Sequence, residues 1–394
     1  MKKQFRLKPH EVNHLNLVEL VQGGKSNPKY TLDIDEQRKL YLFRGYDLGL
    51  IEECLKTGIS IQKVSSYWHK SEHFSLRVRE EEKETESIVD LFNDIIQKYI
   101  GKLEPIKIVK KRTNTNKACK VTISDSHVGM NPNADDNALF QYEYNKDVYN
   151  DSIIKVYDSI LKEFLTHGRF DLLLIDDLGD MADGWNGYTT RGGHELPQNM
   201  SNAEVFEVCV DAYVSLIRNL VEANVANKII LRCVCNDNHS GDFALVINKA
   251  IQKIINLMYS KDVVEVDILT RFIEHRTYGD HCFVLTHGKD AKQMKRGLPI
   301  VLDDKAIRLI NDYIEHYEID SKYIHVEKGD LHQIGYQRTR KFDYRNFMSF
   351  APPSSWIQHN FGDSYSGYSI QVIPKYTNEI AHCDYFLEYS KVKK

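Results

Sequence analysis

Apolar positions in the first part of the chain recur at helical intervals, whereas from residue 118 onward they gather into short runs that end in polar clusters. Leu48, Ile51, Cys54 and Leu55 keep the helical interval until Thr57-Gly58-Ile59 breaks it. Ser60 can cap a second helix with Ile61, Val64 and Trp68 on one side. Two short amphipathic helices around a glycine-containing turn read as a helix-turn-helix. The other side of the second helix holds Gln62, Lys63, Ser65, Ser66, His69 and Lys70. Of these, Lys63, Ser66 and Lys70 are candidate DNA contacts, being polar and basic types suited to a major-groove helix. A plain helical hairpin with a solvated face is the competing reading. Residues 80–86 form an acidic run suited to a solvated helix, and Ile88, Phe92, Ile95 and Tyr99 predict another amphipathic helix that Gly101 ends.

Pro105 and the polar tract of residues 110–117 read as a linker. Beyond it the apolar runs are Val121-Thr122-Ile123, Leu172-Leu173-Leu174-Ile175, Ile229-Ile230-Leu231 with Val234, and Phe283-Val284-Leu285. Helical stretches such as residues 153–164 and 205–221 lie between them. Strands alternating with helices, each strand ending in Asp, Asn or His, predict a layered α/β (α+β) domain with its site at one edge of its sheets. The expected organisation is therefore a small all-α, helix-turn-helix-like module over residues 1–104, a linker over 105–117 and an α/β domain over 118–394.

A chain of 394 residues has room for both modules, and 42% hydrophobic with 27% charged residues is a globular composition. The net charge of −4 argues against a purely electrostatic nucleic-acid binder, but it conceals a division. Residues 1–117 carry 22 Lys and Arg against 17 Asp and Glu, a net of +5; the remainder carries 30 against 39, a net of −9. No apolar run approaches the roughly 20 residues that span a bilayer. The start, Met1-Lys2-Lys3-Gln4-Phe5-Arg6, lacks the apolar stretch of a secretory signal. The seven Cys are scattered without a C-x-x-C, which suits free thiols in a reducing cytoplasm. A cytoplasmic protein without membrane contacts is expected.

The strand-end clusters hold the chemistry. They are Asp125-Ser126-His127, Gly179-Asp180-Met181-Ala182-Asp183, Asn236-Asp237-Asn238-His239, His287 with Gly288, and Gly329-Asp330-Leu331-His332. Any one of them is weak evidence; five in this order, about one β-α unit apart, are specific. In this order the sequence resembles the calcineurin-like metallophosphoesterase superfamily, over about two thirds of the chain. The resemblance implies a two-sheet sandwich flanked by helices, with two divalent metal ions at the sheet edge. By motif, Asp125 and His127 would hold the first metal, Asp180 would bridge, Asn238 and His287 would hold the second, and His332 would serve the first. Asp330 stands where the family has a histidine; a carboxylate still suits a hard divalent ion. Asp237 replaces the family's glycine and Ser240 its acid, both read as changes of loop shape.

The family chemistry is attack on phosphorus by a hydroxide bridging the two metals. His239 would be the general acid and Asp183 would orient it. The mixed ligand set suits Mn2+ or Mg2+, with Fe or Zn as alternatives. The glycine-rich stretch of residues 184–199 leaves the bridging motif and is expected to cover the site, with Tyr188, Arg191 and His194 as substrate contacts. Its wording resembles phage-encoded phosphoesterases related to DNA-repair exonucleases. A nuclease acting on DNA is the leading expectation; the alternatives are a phosphatase or (cyclic) nucleotide phosphodiesterase, and a DNA-binding or assembly protein with a degenerate metal site. Family nucleases often dimerise as homodimers and work with an ATPase partner, which the resemblance raises without identifying either surface. Asp176, Asp177 and Asp242 are expected beside the site with the motif carboxylates, where bound cations would offset their charge.

Overall fold

The computed structural model describes residues 69–70, 75–76, 115–133, 138–290 and 297–392. The chain divides into two compact units, Met1–Glu86 and Ser87–Lys394. In the first, β1 (His69–Lys70) pairs antiparallel with β2 (Ser75–Leu76). His69 and Lys70 are thus extended rather than on the polar side of a helix, a correction to the reading above. Lys63, Ser66 and the rest of the helix-turn-helix reading lie outside the described residues, as do the linker up to residue 114 and residues 291–296.

The second unit is built on two mixed sheets. Parallel β3 (Lys117–Ile123), β4 (Phe170–Asp177), β5 (Ala226–Val234) and β6 (Val264–Leu269) are extended antiparallel by β12 (Gly367–Pro374) and β13 (Ala381–Phe386). The other sheet has the order β10 (Gly335–Arg338), β11 (Asp343–Asn346), β9 (Tyr323–Lys328), β8 (His281–Thr286), β7 (Glu274–Tyr278). The five helices are α1 (Lys146–His167), α2 (Asn202–Glu222), α3 (Asp242–Met258), α4 (Asp304–His316) and α5 (Ser355–Phe361) among the described residues.

Strand alternation sorts the core into three layers. Cys119, Val121 and Ile123 of β3 pack with α1, α2 and α3; Cys282 and Val284 of β8 pack with α4. Between the sheets, Leu174 and Val234 meet Phe283, Leu285 and Phe347. The result is the expected two-sheet sandwich flanked by helices. All six described cysteines are free, five of them buried, and no described helix is long and apolar enough to cross a membrane.

The inner layer also contains charge that the strand pattern concealed. Lys120, fully buried, reaches Glu327 at 2.7 Å and Asp176 at 3.4 Å, and Asp176 takes a bidentate bond from Arg232 at 2.5 and 2.6 Å. Both cations lie over the Phe283 ring. Asp176 therefore faces the opposite sheet rather than the metal motifs, because it is one residue out of phase with Asp177. Asp242, also expected beside the site, is exposed in the first turn of α3. Removing one member of such a network strands a buried charge. Lys120→Met should cost at least about 3 kcal/mol in equilibrium urea unfolding, with partial recovery in Lys120→Met/Glu327→Leu. No recovery in the double variant would refute the pairing as the cause.

Candidate metal centre

Parallel neighbours release their carboxyl ends at one sheet edge, so the turns after β3, β4 and β5 lie side by side, and those after β8 and β9 likewise. The first two turns are joined through the backbone: Asp125 N–H donates to Gly179 O (3.0 Å), His127 N–H to Asp180 O (2.9 Å) and Val128 N–H to Met181 O (2.9 Å). The two sheets meet there, since Asp330 N–H donates to Asp125 Oδ2 at 3.2 Å and His287 Nδ1 bonds Leu178 O at 2.9 Å.

The backbone in these turns is unusual. Asp125, His127, Asp180, Asp330, Leu331 and His332 all have φ between 42° and 64°, a region that residues with side chains seldom adopt. Strain of this kind persists only where the surroundings over-determine it, and it gathers at functional sites. Gly329 admits the close approach of these turns. A Cβ there would collide with Ser124 Oγ and lie 3.0 Å from Asp125 Oδ2 and 3.1 Å from His287 Nδ1. Gly329→Ala should therefore weaken metal binding while leaving far-ultraviolet circular dichroism unchanged; unaltered metal affinity by calorimetry would refute the tight fit.

The side chains converge as follows. His127 Nε2 faces His332 Nε2 at 3.1 Å, and Asp125 Oδ1 lies 3.3 Å from His332 Nε2 and 3.9 Å from His127 Nε2. Asp180 Oδ2 lies 3.0 Å from His287 Nε2, 3.9 Å from His127 Nε2 and 4.0 Å from His239 Nε2. Three clusters have their ligand atoms within 4.8 Å of one another: two ligand sets, Asp125–His127–His332 and Asp125–Asp180–His287, and a third group, His127–Asp183–His239. Asp125 Oδ1, Asn238 Oδ1 and His287 Nε2 are buried without an aligned hydrogen bond among the described residues. Buried oxygen and nitrogen lone pairs left without donors are of the kind that a divalent cation takes. The residues present fit the implied metal.

Asp183 was expected to orient His239, and its Oδ1 does lie 3.2 Å from His239 Nδ1. The same oxygen also lies 2.9 Å from His127 Nδ1. Both imidazoles then carry their Nδ1 proton toward one carboxylate and present Nε2 to the site. The bond to His127 had no signal in the motif pattern. His287 is oriented likewise, through the Leu178 carbonyl.

Charge in this cluster is finely opposed. Burial works against the Asp125 charge, yet His332 and His287 hold its carboxyl down at about 2. Burial also opposes a cationic His239, but Asp180 and the Asp183 hydrogen bond prevail and raise it to about 9. Burial lifts Asp237 to about 7, reinforced by Asp180. Its Oδ1 accepts from Ser240 N–H (2.7 Å), Ser240 Oγ (3.0 Å) and Gly241 N–H (2.9 Å), tying down the turn that carries Asn238 and His239.

The remaining candidates are placed as follows. Asp330 reaches the centre through its backbone, and its carboxylate is in neither ligand set. The glycine-rich loop is fastened to the third motif: Thr190 N–H donates to His239 O and Arg191 N–H to Asn238 O, both at 2.9 Å. Arg191 Nη1 is engaged by Asp290, at 2.6 Å to the carbonyl and 3.3 Å to the carboxylate, so this arginine links the loop to the turn after β8. Tyr188 and His194 are exposed on the loop. Asp177, expected at the site, sits beneath it, accepting from Tyr213 Oη and Gly179 N–H.

Among solved structures, the chain is similar to an archaeal phosphodiesterase at 12% identity, covering 68% of this chain and 99% of that one with a TM-score of 0.32. It is similar to Entamoeba histolytica Vps29 complexed with Zn2+, at 12% identity, 70% and 98% coverage and a TM-score of 0.32. A conserved protein of Streptococcus pneumoniae TIGR4, described as a predicted phosphoesterase, is 11% identical over 68% and 98%, with a TM-score of 0.27. No family model and no curated protein matches the sequence. Likenesses this distant assign nothing to the chain, whose chemistry rests on its own side chains.

Proposed function

We propose that this chain is a metal-dependent phosphoesterase acting on nucleic-acid phosphodiester bonds, with two divalent ions, Mn2+ or Mg2+, as its cofactor. The convergence of Asp125, His127, Asp180, His287 and His332 supports this reading above any other observation. Two bound divalent ions would supply charge to a phosphate and acidify a water lying between them. Asp125, His127 and His332 would hold one ion, His287 with Asn238 the other, and Asp180 would be shared.

The protein's own groups do the rest. His239, cationic and kept in orientation by Asp183, stands beside the ligands with Nε2 toward the site, where it can give its proton to the leaving alkoxide. The Asp183 carboxylate stabilises the imidazolium before transfer and keeps the Nδ1 proton in place afterwards. The loop fastened to the His239 and Asn238 carbonyls fixes the acid relative to the ligands. The basic first part of the chain, net +5 over residues 1–117, suits approach to a polyanion, which supports DNA as the partner.

The test is cleavage of defined single- and double-stranded DNA ends with Mn2+, beside a phosphodiester, a phosphomonoester and cyclic nucleotides. DNA cleavage abolished in His239→Ala is the expected result. Intact DNA with hydrolysis of the monoester alone would replace the nuclease with a phosphatase. The absence of Asp330 from both ligand sets favours one second reading, an assembly protein with an incomplete centre. Fewer than one bound metal per chain, without hydrolysis of any ester, would establish it.

A further inference from the structure

Away from the metal centre, the two sheets open at one side into a cavity of about 170 Å³, lined from β9, β10 and β11 on one face and from β12 and β13 on the other. Strand register explains why it is polar. Tyr336 pairs with Arg345 and Arg338 with Asp343, while Asp343 pairs with His325 and Arg345 with Glu327, so all six belong to one face of their sheet. Gln371 and His382, themselves paired, come from the opposing sheet. Its lining includes none of Asp125, His127, Asp180, Asn238, His287 and His332, so the cavity is distinct from the candidate metal centre.

Most of the charges there are satisfied. Glu327 holds Lys120 at 2.7 Å, Asp343 accepts from Arg338 Nε at 3.2 Å, and Asp384 accepts from Ser369 Oγ at 2.5 Å. Arg345 is different. Its guanidinium lies 5.1 Å over the Tyr336 ring, and its Nη1 meets His382 Nε2 at 2.6 Å, with no carboxylate of the described residues in hydrogen-bond contact. His382 Nε2 is also 2.7 Å from Asp384 Oδ1. One ring nitrogen cannot accept from Arg345 and donate to Asp384 at the same time. His382 Nδ1 is buried without a hydrogen-bond partner among the described residues. A half-buried guanidinium fork beside a histidine with conflicting bonds lacks one thing, an acceptor with several lone pairs.

We propose that this cavity is a binding site for a small phosphate-bearing anion, held by the Arg345 fork with His382 and Arg338 beside it and Tyr336 at its mouth. An anion there lets His382 donate to Asp384 while Arg345 turns its donors to the phosphate oxygens. The volume exceeds what a single water needs. The exposed Tyr336 ring offers a face to an aromatic group on the phosphate, so phosphate monoesters with a ring should bind better than the bare ion. The proposal stands whether or not the metal centre hydrolyses nucleic acid.

Calorimetric titration of the full chain with inorganic phosphate, phenyl phosphate and acetate, with and without EDTA, tests it. One saturable phosphate site that survives EDTA is expected, tighter for phenyl phosphate and absent for acetate. Arg345→Gln should weaken both phosphates at least tenfold, about 1.4 kcal/mol, at an unchanged melting temperature. Tyr336→Ala should remove only the advantage of phenyl phosphate. If Arg345→Gln melts early, Arg345→Lys takes its place, with a weakened site again expected because lysine has no fork. An EDTA-resistant site of equal affinity in the arginine variants, or no EDTA-resistant site in the unaltered protein, overturns the proposal.

Discussion

Asp180→Asn is expected to leave the chain with at most one bound metal and to lower phosphodiester hydrolysis by on the order of 10³-fold, about 4 kcal/mol. Asp180 Oδ2 lies within 4.0 Å of three imidazole nitrogens, those of His127, His239 and His287, so one oxygen answers to both ligand sets and to the acid. Burial disfavours its charge, but His287 and His239 hold the carboxyl well below the usual range, so it is ionised across the working pH. An amide of the same shape removes that charge and, in one orientation, turns N–H groups toward nitrogens that must offer lone pairs. Elemental analysis after gel filtration, beside hydrolysis of a chromogenic diester, reads both effects. Two metals per chain in the variant would remove Asp180 from the centre.

The second large effect concerns His239→Ala, and it depends on the leaving group. A general acid contributes about 10²–10⁴-fold when the departing oxygen is a poor leaving group and little when it departs unaided. DNA or an alkyl diester should lose rates in that range, and a nitrophenyl diester should lose far less. The pH profile gives the sign. The group must be protonated to act, so activity falls as pH rises through the His239 pKa, about 9 in the metal-free chain. Bound cations push that value down, so the alkaline limb belongs below 9, and the alanine variant should lack it. Equal losses on both esters would make His239 a structural residue.

The sandwich was legible in the sequence where strands are apolar on both faces. Leu172 to Ile175 and Ile229 to Leu231 could be read because the sheet they occupy is covered on both sides. The strands β10, β11 and β13 were not legible, since Tyr336, Arg338, Asp343, Arg345, His382 and Asp384 make them look like loops. Their polarity reflects the lateral cavity between the sheets. Lys120 and Arg232 were hidden for another reason: they sit in otherwise apolar strands and their partners, Glu327 and Asp176, are remote in sequence.

Within the site, residue types and order carried the convergence of the motif residues, because the motif spacing places them at adjacent strand ends. Order says nothing about which oxygen meets which nitrogen. That Arg191 is engaged by Asp290, or that Asp176 turns inward while Asp177 lies under the site, follows only from the phase of β4 and the path of the loop. The extended Lys70 was missed because a two-residue strand is too short to leave a periodic signal.

One oxygen of Asp183 serves two imidazoles, those of His127, the proposed metal ligand, and His239, the proposed acid. Mutational effects at Asp183, His127 and His239 will therefore not multiply: once Asp183 is gone, each histidine has already lost part of what its own replacement would remove. Neither imidazole can be retuned by changing this carboxylate without disturbing the other. A lineage altering metal preference through position 183 would change its proton donor in the same step, so compensating substitutions at the two histidines should accumulate together.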